Sequence, residues 1–107
     1  MSATFYQLSD LQRERRDADK RYLEFLRVSA MSAGIYVLPA DGVDPQSPHN
    51  QDELYYVVQG KARMKVGQED QPVTSGSVIF VGAKVEHRFY DISEELVILV
   101  VFAPAET

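Results

Sequence analysis

From Tyr22 onward, the sequence consists of short runs rich in β-branched, aromatic and leucine residues, separated by glycine, proline, aspartate and serine. Closely spaced runs of this kind are typical of antiparallel strands joined by tight turns. The predicted strands are Tyr22–Val28, Gly34–Pro39, Glu53–Gln59, Lys61–Val66, Val78–Val81, His87–Asp91 and Leu96–Phe102. So many short strands within 107 residues indicate an all-β fold, a small antiparallel β-barrel or jelly roll.

Glycine positions and side-chain alternation predict how these strands are connected and which faces they bury. Gly60 is predicted to be a hairpin turn between two strands, and Gly67–Asp70 a second hairpin turn. Lys61–Val66 alternates charged and apolar residues, which indicates one solvated and one buried face. The side chains expected to face the interior are Leu23 or Phe25, Ile35, Val37, Val57, Met64, Val66, Ile79 and Val97 or Leu99.

The first 21 residues have a different pattern. Ser9-Asp10-Leu11-Gln12 has the spacing of a capping box, which predicts a short charged helix from about Asp10 to Asp17. We therefore expect a helical extension at residues 1–21, outside a single barrel domain at residues 22–107.

Composition excludes several classes of protein. The absence of cysteine removes disulfides, thiolate nucleophiles and sulfur ligands. A net charge of −5 disfavours nucleic-acid binding. The longest apolar run, Leu96–Ala103, is far shorter than the ~20 residues of a membrane-spanning helix. Residues 1–30 show no apolar core of a signal peptide. We expect a cytoplasmic protein with neither nucleic-acid nor membrane partners.

The strand Leu96–Phe102 is apolar on both of its faces. Its second face needs cover from another sheet or another subunit. A domain of this size also buries a smaller fraction of its surface than a large one does. Both arguments predict a homodimer.

The two histidines lie close to carboxylates, with Glu53 four residues after His49 and Glu86 directly before His87. Imidazole and carboxylate are the ligands left to a cysteine-free protein that binds a divalent transition metal. A straight strand would separate the Cα atoms of His49 and Glu53 by ~13 Å. The intervening Asn50-Gln51-Asp52 is turn-forming, and we expect it to bring both side chains onto one interior face.

Strand alternation places Glu53 on the same face as Tyr55 and Val57. A carboxylate on such a face is costly to bury without a partner, and a metal ion would be one. The same alternation places His87 with Phe89, and Arg88 with Tyr90 on the opposite face.

Two stretches of sequence resemble the two characteristic motifs of the cupin family. The segment from Ser47 to Gly60 is similar to the first motif, His-x-His-(three or four)-Glu-(six)-Gly, through His49, Glu53 and Gly60. The second motif runs Gly-(five)-Pro-x-Gly-(two)-His-(three)-Asn. The residues at the corresponding positions of this sequence are Gly76, Gly82, Lys84, His87 and Asp91.

The resemblance extends from Tyr22 to Pro104 and is closest to the small single-domain cupin 2 type with a double-stranded jelly roll. It implies one divalent metal ion, Fe, Mn, Zn or Ni, held by His49, Glu53 and His87. Ser47 stands where the first histidine of the motif belongs, so the usual ligand set is reduced to two histidines and one carboxylate. Such a set leaves coordination positions open. A weak fourth ligand from Ser47 or Gln51 is left open.

The departures at Gly82, Lys84 and Asp91, which replace a proline, a glycine and an asparagine, fall at turns and strand ends. They are expected to change backbone stiffness more than chemistry.

The resemblance implies a metal-dependent enzyme acting on a small organic substrate, as a dioxygenase, an isomerase or a lyase. One alternative is a binding module that holds a metal and a small ligand without turnover. Another is a barrel in which the three residues form hydrogen bonds and bind no metal. The sequence names neither the metal nor the substrate.

Overall fold

The computed structural model describes residues 2–45 and 47–107, which form one short helix and an antiparallel sheet. The helix α1 spans Leu8–Ala18. The strands are β1 (Tyr22–Val28), β2 (Met31–Leu38), β3 (Asp52–Val66), β4 (Glu69–Thr74), β5 (Val78–Val81) and β6 (His87–Ala103). Within the described residues, no helix has the length and apolar character needed to cross a membrane.

Two long strands, β3 and β6, organise the fold. The hydrogen-bonded order is β1–β2–β6–β3–β4, and β5 also pairs with β3. The first part of β3, Glu53–Tyr56, pairs with β5, whereas its last part, Lys61–Val66, pairs with β4. Because β6 pairs with both parts of β3, the two long strands belong to both halves of the molecule. The predicted all-β jelly roll with a short N-terminal helix is confirmed.

The prediction of a hairpin turn at Gly60 is wrong. β3 runs through this residue as one strand, although its register against β6 shifts on either side. Gly60 has a φ of +109°, and a Cβ added there would lie 2.3 Å from the carbonyl oxygen of Glu95. The glycine therefore permits an irregularity and a close backbone approach within a long strand pair.

The remaining strand predictions are partly correct. Tyr22–Val28 and Val78–Val81 are confirmed. The predicted turn Gly67–Asp70 is shorter than expected, because Glu69 and Asp70 already belong to β4. The runs His87–Asp91 and Leu96–Phe102 are one strand, because the polar residues between them stay in the ladder, where Glu94 pairs with Lys61. Strand β4 was not predicted, since it is mostly polar, exposed and contains a proline. β2 begins at Met31, earlier than predicted, and ends at Leu38.

The predicted capping box at Ser9 is also wrong. The helix begins at Leu8, so Ser9 lies inside it, and Gln7 occupies the N-cap position without a side-chain cap from the described residues. The helix ends at Ala18, followed by Asp19 in the left-handed conformation. Its single buried side chain among the described residues is Leu11.

The main core lies inside the roll. Its buried members are Tyr36, Leu38, Tyr55, Val57, Ala62, Met64, Val73, Val81, Phe89, Ile92, Leu96, Ile98, Val100 and Phe102. Val57 and Met64 were predicted to be interior, and Val66 and Ile79 pack against this core partly buried.

A second apolar cluster covers the opposite face of β2 and β6. Ile35, Val37 and Val97 were predicted to face the interior of the roll, but they belong to this outer cluster together with Leu11 of α1. Both faces of these strands are apolar, so alternation does not distinguish them. Part of the cover expected from another subunit is thus supplied by the helix of the same chain.

Candidate metal centre

Three side chains converge at one end of the roll. Glu53 is the second residue of β3, His87 is the first residue of β6, and His49 lies in the segment that precedes β3. The chain bends at Asn50 and Gln51 before β3 begins, as the turn-forming sequence predicts.

Backbone hydrogen bonds hold the segment before β3 against the segment before β6. The amide of Lys84 donates to the carbonyl oxygen of His49 at 2.6 Å. The amide of Ala83 donates to Asp52 Oδ1 at 2.8 Å. Lys84 has a φ of 66°, a conformation that glycine adopts with least strain. These contacts bring the two histidines to a ring separation of 5.6 Å.

The potential ligand atoms of His49, Glu53 and His87 all lie within 4.8 Å of one another. Glu53 Oε1 is 3.2 Å from His87 Nε2 and 3.8 Å from His49 Nε2. The side chains of Glu53 and His87 are 1% and 0% exposed, whereas that of His49 is 20% exposed. The structure therefore brings the three residues together, and metal binding by them remains a prediction.

The two ring nitrogens of His87 have different neighbours: Nδ1 faces a backbone carbonyl, and Nε2 faces Glu53. Its Nδ1 lies 2.8 Å from the carbonyl oxygen of Val85. Because a carbonyl can only accept, a neutral His87 ring that makes this contact has its proton on Nδ1 and a lone pair on Nε2. That lone pair faces a carboxylate oxygen. Consistent with two acceptors in contact, His87 Nε2 has no hydrogen-bond partner among the described residues, and neither does Glu53 Oε2.

His49 is held in a similar way from the other side. Its Nδ1 lies 3.2 Å from Glu106 Oε2, and its Nε2 is the nitrogen nearer to Glu53. Phe102 packs edge-on against the His49 ring at a centroid distance of 5.0 Å. Both histidines thus have Nδ1 next to an acceptor oxygen and Nε2 directed towards the same carboxylate.

The environment of Glu53 disfavours its charged form. Burial raises the pKa of Glu53, while a hydrogen bond with Tyr55 and the two nearby histidines lower the pKa in part. The site therefore contains a carboxylate whose charge needs compensation.

Sequence reasoning did not identify Glu106 or the role of Tyr55. Strand alternation places Tyr55 on the same face as Glu53, which is the sequence signal for its role. Glu106 lies beyond both motifs, and no spacing in the sequence points to it. The two candidates for a weak fourth ligand are placed differently: Ser47 is exposed, and the buried Gln51 donates from Nε2 to Thr107 Oγ1 at 2.9 Å.

A cavity of about 170 Å³ adjoins His49. It is lined by Tyr22, Tyr36, His49, Val100, Phe102 and Glu106. A larger cavity of about 600 Å³ lies beside β4 and β5 and includes none of the three residues. A third cavity, of about 330 Å³, is lined by Pro48, Lys65, Gly67, Glu86, His87 and Arg88, so His49 and His87 each border a cavity.

Comparisons with known proteins agree with the sequence motifs. Residues 34–102 match the Cupin domain family. An uncharacterised protein of Streptomyces coelicolor is 49% identical over 102 residues, which is 95% of this chain and 97% of that protein.

Solved structures share the fold at low identity. An RmlC-like cupin family protein from Methanocaldococcus jannaschii has a TM-score of 0.74 and 20% identity, covering 97% of this chain and 93% of that one. A DMSP lyase from Ruegeria pomeroyi has a TM-score of 0.69 and 18% identity, covering 81% of this chain and 49% of the lyase.

Proposed function

This chain belongs to the Cupin domain family, and on that premise we propose that it holds one divalent transition metal ion with His49, Glu53 and His87 and acts on a small organic molecule. The proposed activity is that of a metal-dependent enzyme. The resemblance implies a dioxygenase, an isomerase or a lyase, and the fold does not select among them.

The observation that carries the proposal is the pair of buried acceptors that face each other. Glu53 Oε1 and His87 Nε2 are 3.2 Å apart, and the far nitrogen, Nδ1, lies 2.8 Å from the carbonyl oxygen of Val85, an acceptor that favours the proton of a neutral ring on Nδ1. A cation between them would satisfy both atoms, as well as the unpartnered Glu53 Oε2. Imidazole nitrogen and carboxylate oxygen are ligands suited to Fe, Mn, Zn or Ni, so the residues fit the group.

Two neutral imidazoles and one carboxylate leave a divalent ion with a net charge of about +1 and with open positions. When bound, such an ion would polarise a substrate oxygen or activate water or dioxygen. The protein itself would orient the ligands: the Val85 carbonyl holds the ring of His87 and the Tyr55 hydroxyl bonds to Glu53.

The size of the cavity that adjoins His49 supports a small substrate. Its volume of about 170 Å³ corresponds to roughly six water molecules in the liquid. Aromatic and aliphatic side chains form most of its wall, and Glu106 adds a hydrogen-bond acceptor. A substrate of a few carbon atoms that also carries oxygen atoms fits these dimensions and this chemistry.

The function is tested by measuring the metal content of protein purified without added metal or chelator. The metal-loaded protein is then screened against short hydroxy acids, keto acids and enolisable carbonyl compounds. We expect one equivalent of metal per chain and turnover that a chelator removes. Saturable binding without turnover would identify a binding module instead. Wild type and His49→Ala with equal metal retention after dialysis against a chelator would contradict the metal site.

We further propose that the protein is a homodimer that uses an exposed apolar patch on β3 and β5. Leu54 lies opposite Phe80, and Tyr56 opposite Val78, and the four side chains are 43–64% exposed. A symmetric dimer would bury the same patch on both subunits.

Phe80→Glu is expected to convert the dimer into a monomer, because it places a charge in the apolar patch. Light scattering should give about 24 kDa, twice the chain mass of 12.1 kDa, for the wild type and about 12 kDa for the variant. Val43→Glu, at an exposed loop residue outside the patch, is the matched control and should remain dimeric. A wild-type mass of about 12 kDa at micromolar concentration would contradict the dimer.

A further inference from the structure

We propose that Glu106 is a positioning residue: its carboxylate accepts the Nδ1 proton of His49 and thereby directs the Nε2 lone pair towards Glu53. The proposal rests on the metal site proposed above and adds to it a residue outside the family motifs. It also makes the affinity for metal depend on how residues 104–107 dock.

The imidazole ring of His49 lies between two carboxylates, that of Glu106 on its Nδ1 side and that of Glu53 on its Nε2 side. Glu106 Oε2 lies 3.2 Å from Nδ1, and Glu53 Oε1 lies 3.8 Å from Nε2. The two nitrogens lie on different sides of the ring and their in-plane bonding directions diverge, so Glu106 and Glu53 approach from different directions. This places Glu106 behind His49 and not among the ligand atoms.

His49 needs such a partner more than His87 does. The ring of His87 is buried, and its Nδ1 faces the backbone carbonyl of Val85, an acceptor fixed by the fold. His49 is 20% exposed and lies in a segment outside the strands, where its Nδ1 faces the side chain of Glu106. Loss of that acceptor would remove a contact that favours the proton on Nδ1, and a proton on Nε2 blocks metal binding.

Glu106 is held in place by hydrogen bonds of its own backbone amide and of the side chain of the next residue, Thr107. Its amide donates to the hydroxyl of the fully buried Ser32 at 2.9 Å. One residue further, Thr107 Oγ1 accepts a hydrogen bond from the buried Gln51, which is two residues from His49. The segment 104–107 is therefore attached to β2 and to the segment before β3 at the same time. By linkage, anything that detaches it lowers metal affinity, and bound metal favours the attached form.

The first experiment reads the tautomer of His49 in the metal-free protein. Long-range proton–nitrogen NMR spectra recorded at about pH 8.5, where a free imidazole is neutral, separate the protonated from the unprotonated ring nitrogen. We expect His49 of the wild type to carry its proton on Nδ1. In Glu106→Ala, we expect averaged nitrogen shifts because both tautomers are populated.

The second experiment measures Zn²⁺ affinity by competition with a chelating dye. Glu106→Ala is expected to weaken binding about 10- to 100-fold, the range typical for loss of an outer-shell partner. Glu106→Gln retains an acceptor oxygen and should recover part of that loss. Ser32→Ala, which removes the hydroxyl that fixes the Glu106 backbone, should give a smaller loss in the same direction.

Glu94→Ala removes the same charge at an exposed residue that pairs with Lys61, and it serves as the matched control with wild-type affinity expected. A His49 tautomer and a Zn²⁺ affinity both unchanged in Glu106→Ala would overturn the positioning role. Failure of the wild type to bind Zn²⁺ would overturn the metal site. The tautomer measurement would still decide whether Glu106 directs His49, so the two failures are distinguishable.

Discussion

Glu53→Gln is expected to raise the melting temperature of the metal-free protein and to remove the stabilisation that a divalent metal gives the wild type. In the absence of metal, the substitution replaces a buried carboxylate by a neutral amide of the same shape. The amide can donate to the unpartnered Nε2 of His87, which is 3.2 Å from Glu53 Oε1. A gain of about 1–2 kcal/mol in the free energy of unfolding follows, or ~5–15 °C for a small domain.

With metal present, the sign of the effect reverses. A ligand at a hundred times its Kd stabilises the native state by about 2.7 kcal/mol, and a chain that has lost a charged ligand forfeits most of this. Thermal unfolding of both proteins, with chelator and with a series of Zn²⁺ concentrations, measures the two effects together.

Glu94→Gln is the matched control, because it makes the same substitution at an exposed residue. It should change neither the melting temperature of the metal-free protein nor the stabilisation by metal. A metal-free Glu53→Gln protein that melts below the wild type would mean that the Glu53 carboxylate already has sufficient partners without a metal.

Gly60→Ala is expected to destabilise the fold by about 3 kcal/mol or more. The residue adopts a φ of +109°, and the added Cβ would lie 2.3 Å from the carbonyl oxygen of Glu95. Backbone strain at such a φ costs about 1–3 kcal/mol, and overpacking against a neighbouring strand adds a similar amount. The melting temperature should fall by roughly 12 °C or more.

Gly76→Ala separates these two contributions. Gly76 has a comparable φ of +95°, but no described atom lies within 4 Å of a Cβ added there. This variant should therefore show the backbone cost alone. Chemical denaturation of both variants gives the two free energies, and equal losses would show that the approach to Glu95 is relieved by a small backbone shift.

The fold class can be predicted from the sequence because apolar and polar residues alternate clearly in strands that have one solvent-exposed face. Tyr22–Val28 and Val78–Val81 are predicted to the residue, and Glu53 and His87 are assigned to the correct faces. Prediction fails where local chemistry is ambiguous. A glycine between two strands has the same sequence signature in a hairpin turn as in a bulge, so Gly60 was assigned to the wrong one.

The candidate site shows the same division. The three residues His49, Glu53 and His87 come from motif spacing and ligand chemistry, and the structure brings them together. Glu106 has no such signal, because its contact with His49 depends on where the chain returns after β6. The faces of β2 were assigned in reverse because Ile35 and Tyr36 are both apolar enough to be buried, and α1 covers the outer one.

The positions of Glu53 and His87 in the ladder between β3 and β6 have a consequence for the order of folding. His87 pairs with Val66, which lies 13 residues along β3 from Glu53, or ~43 Å in a flat sheet. Their side chains nevertheless meet at 3.2 Å, which requires the paired strands to curl until their opposite ends touch. The three candidate ligands are therefore not assembled until the paired β3 and β6 have curled. The proposed metal site predicts that the apparent rate of metal capture during refolding follows this last closure of the roll.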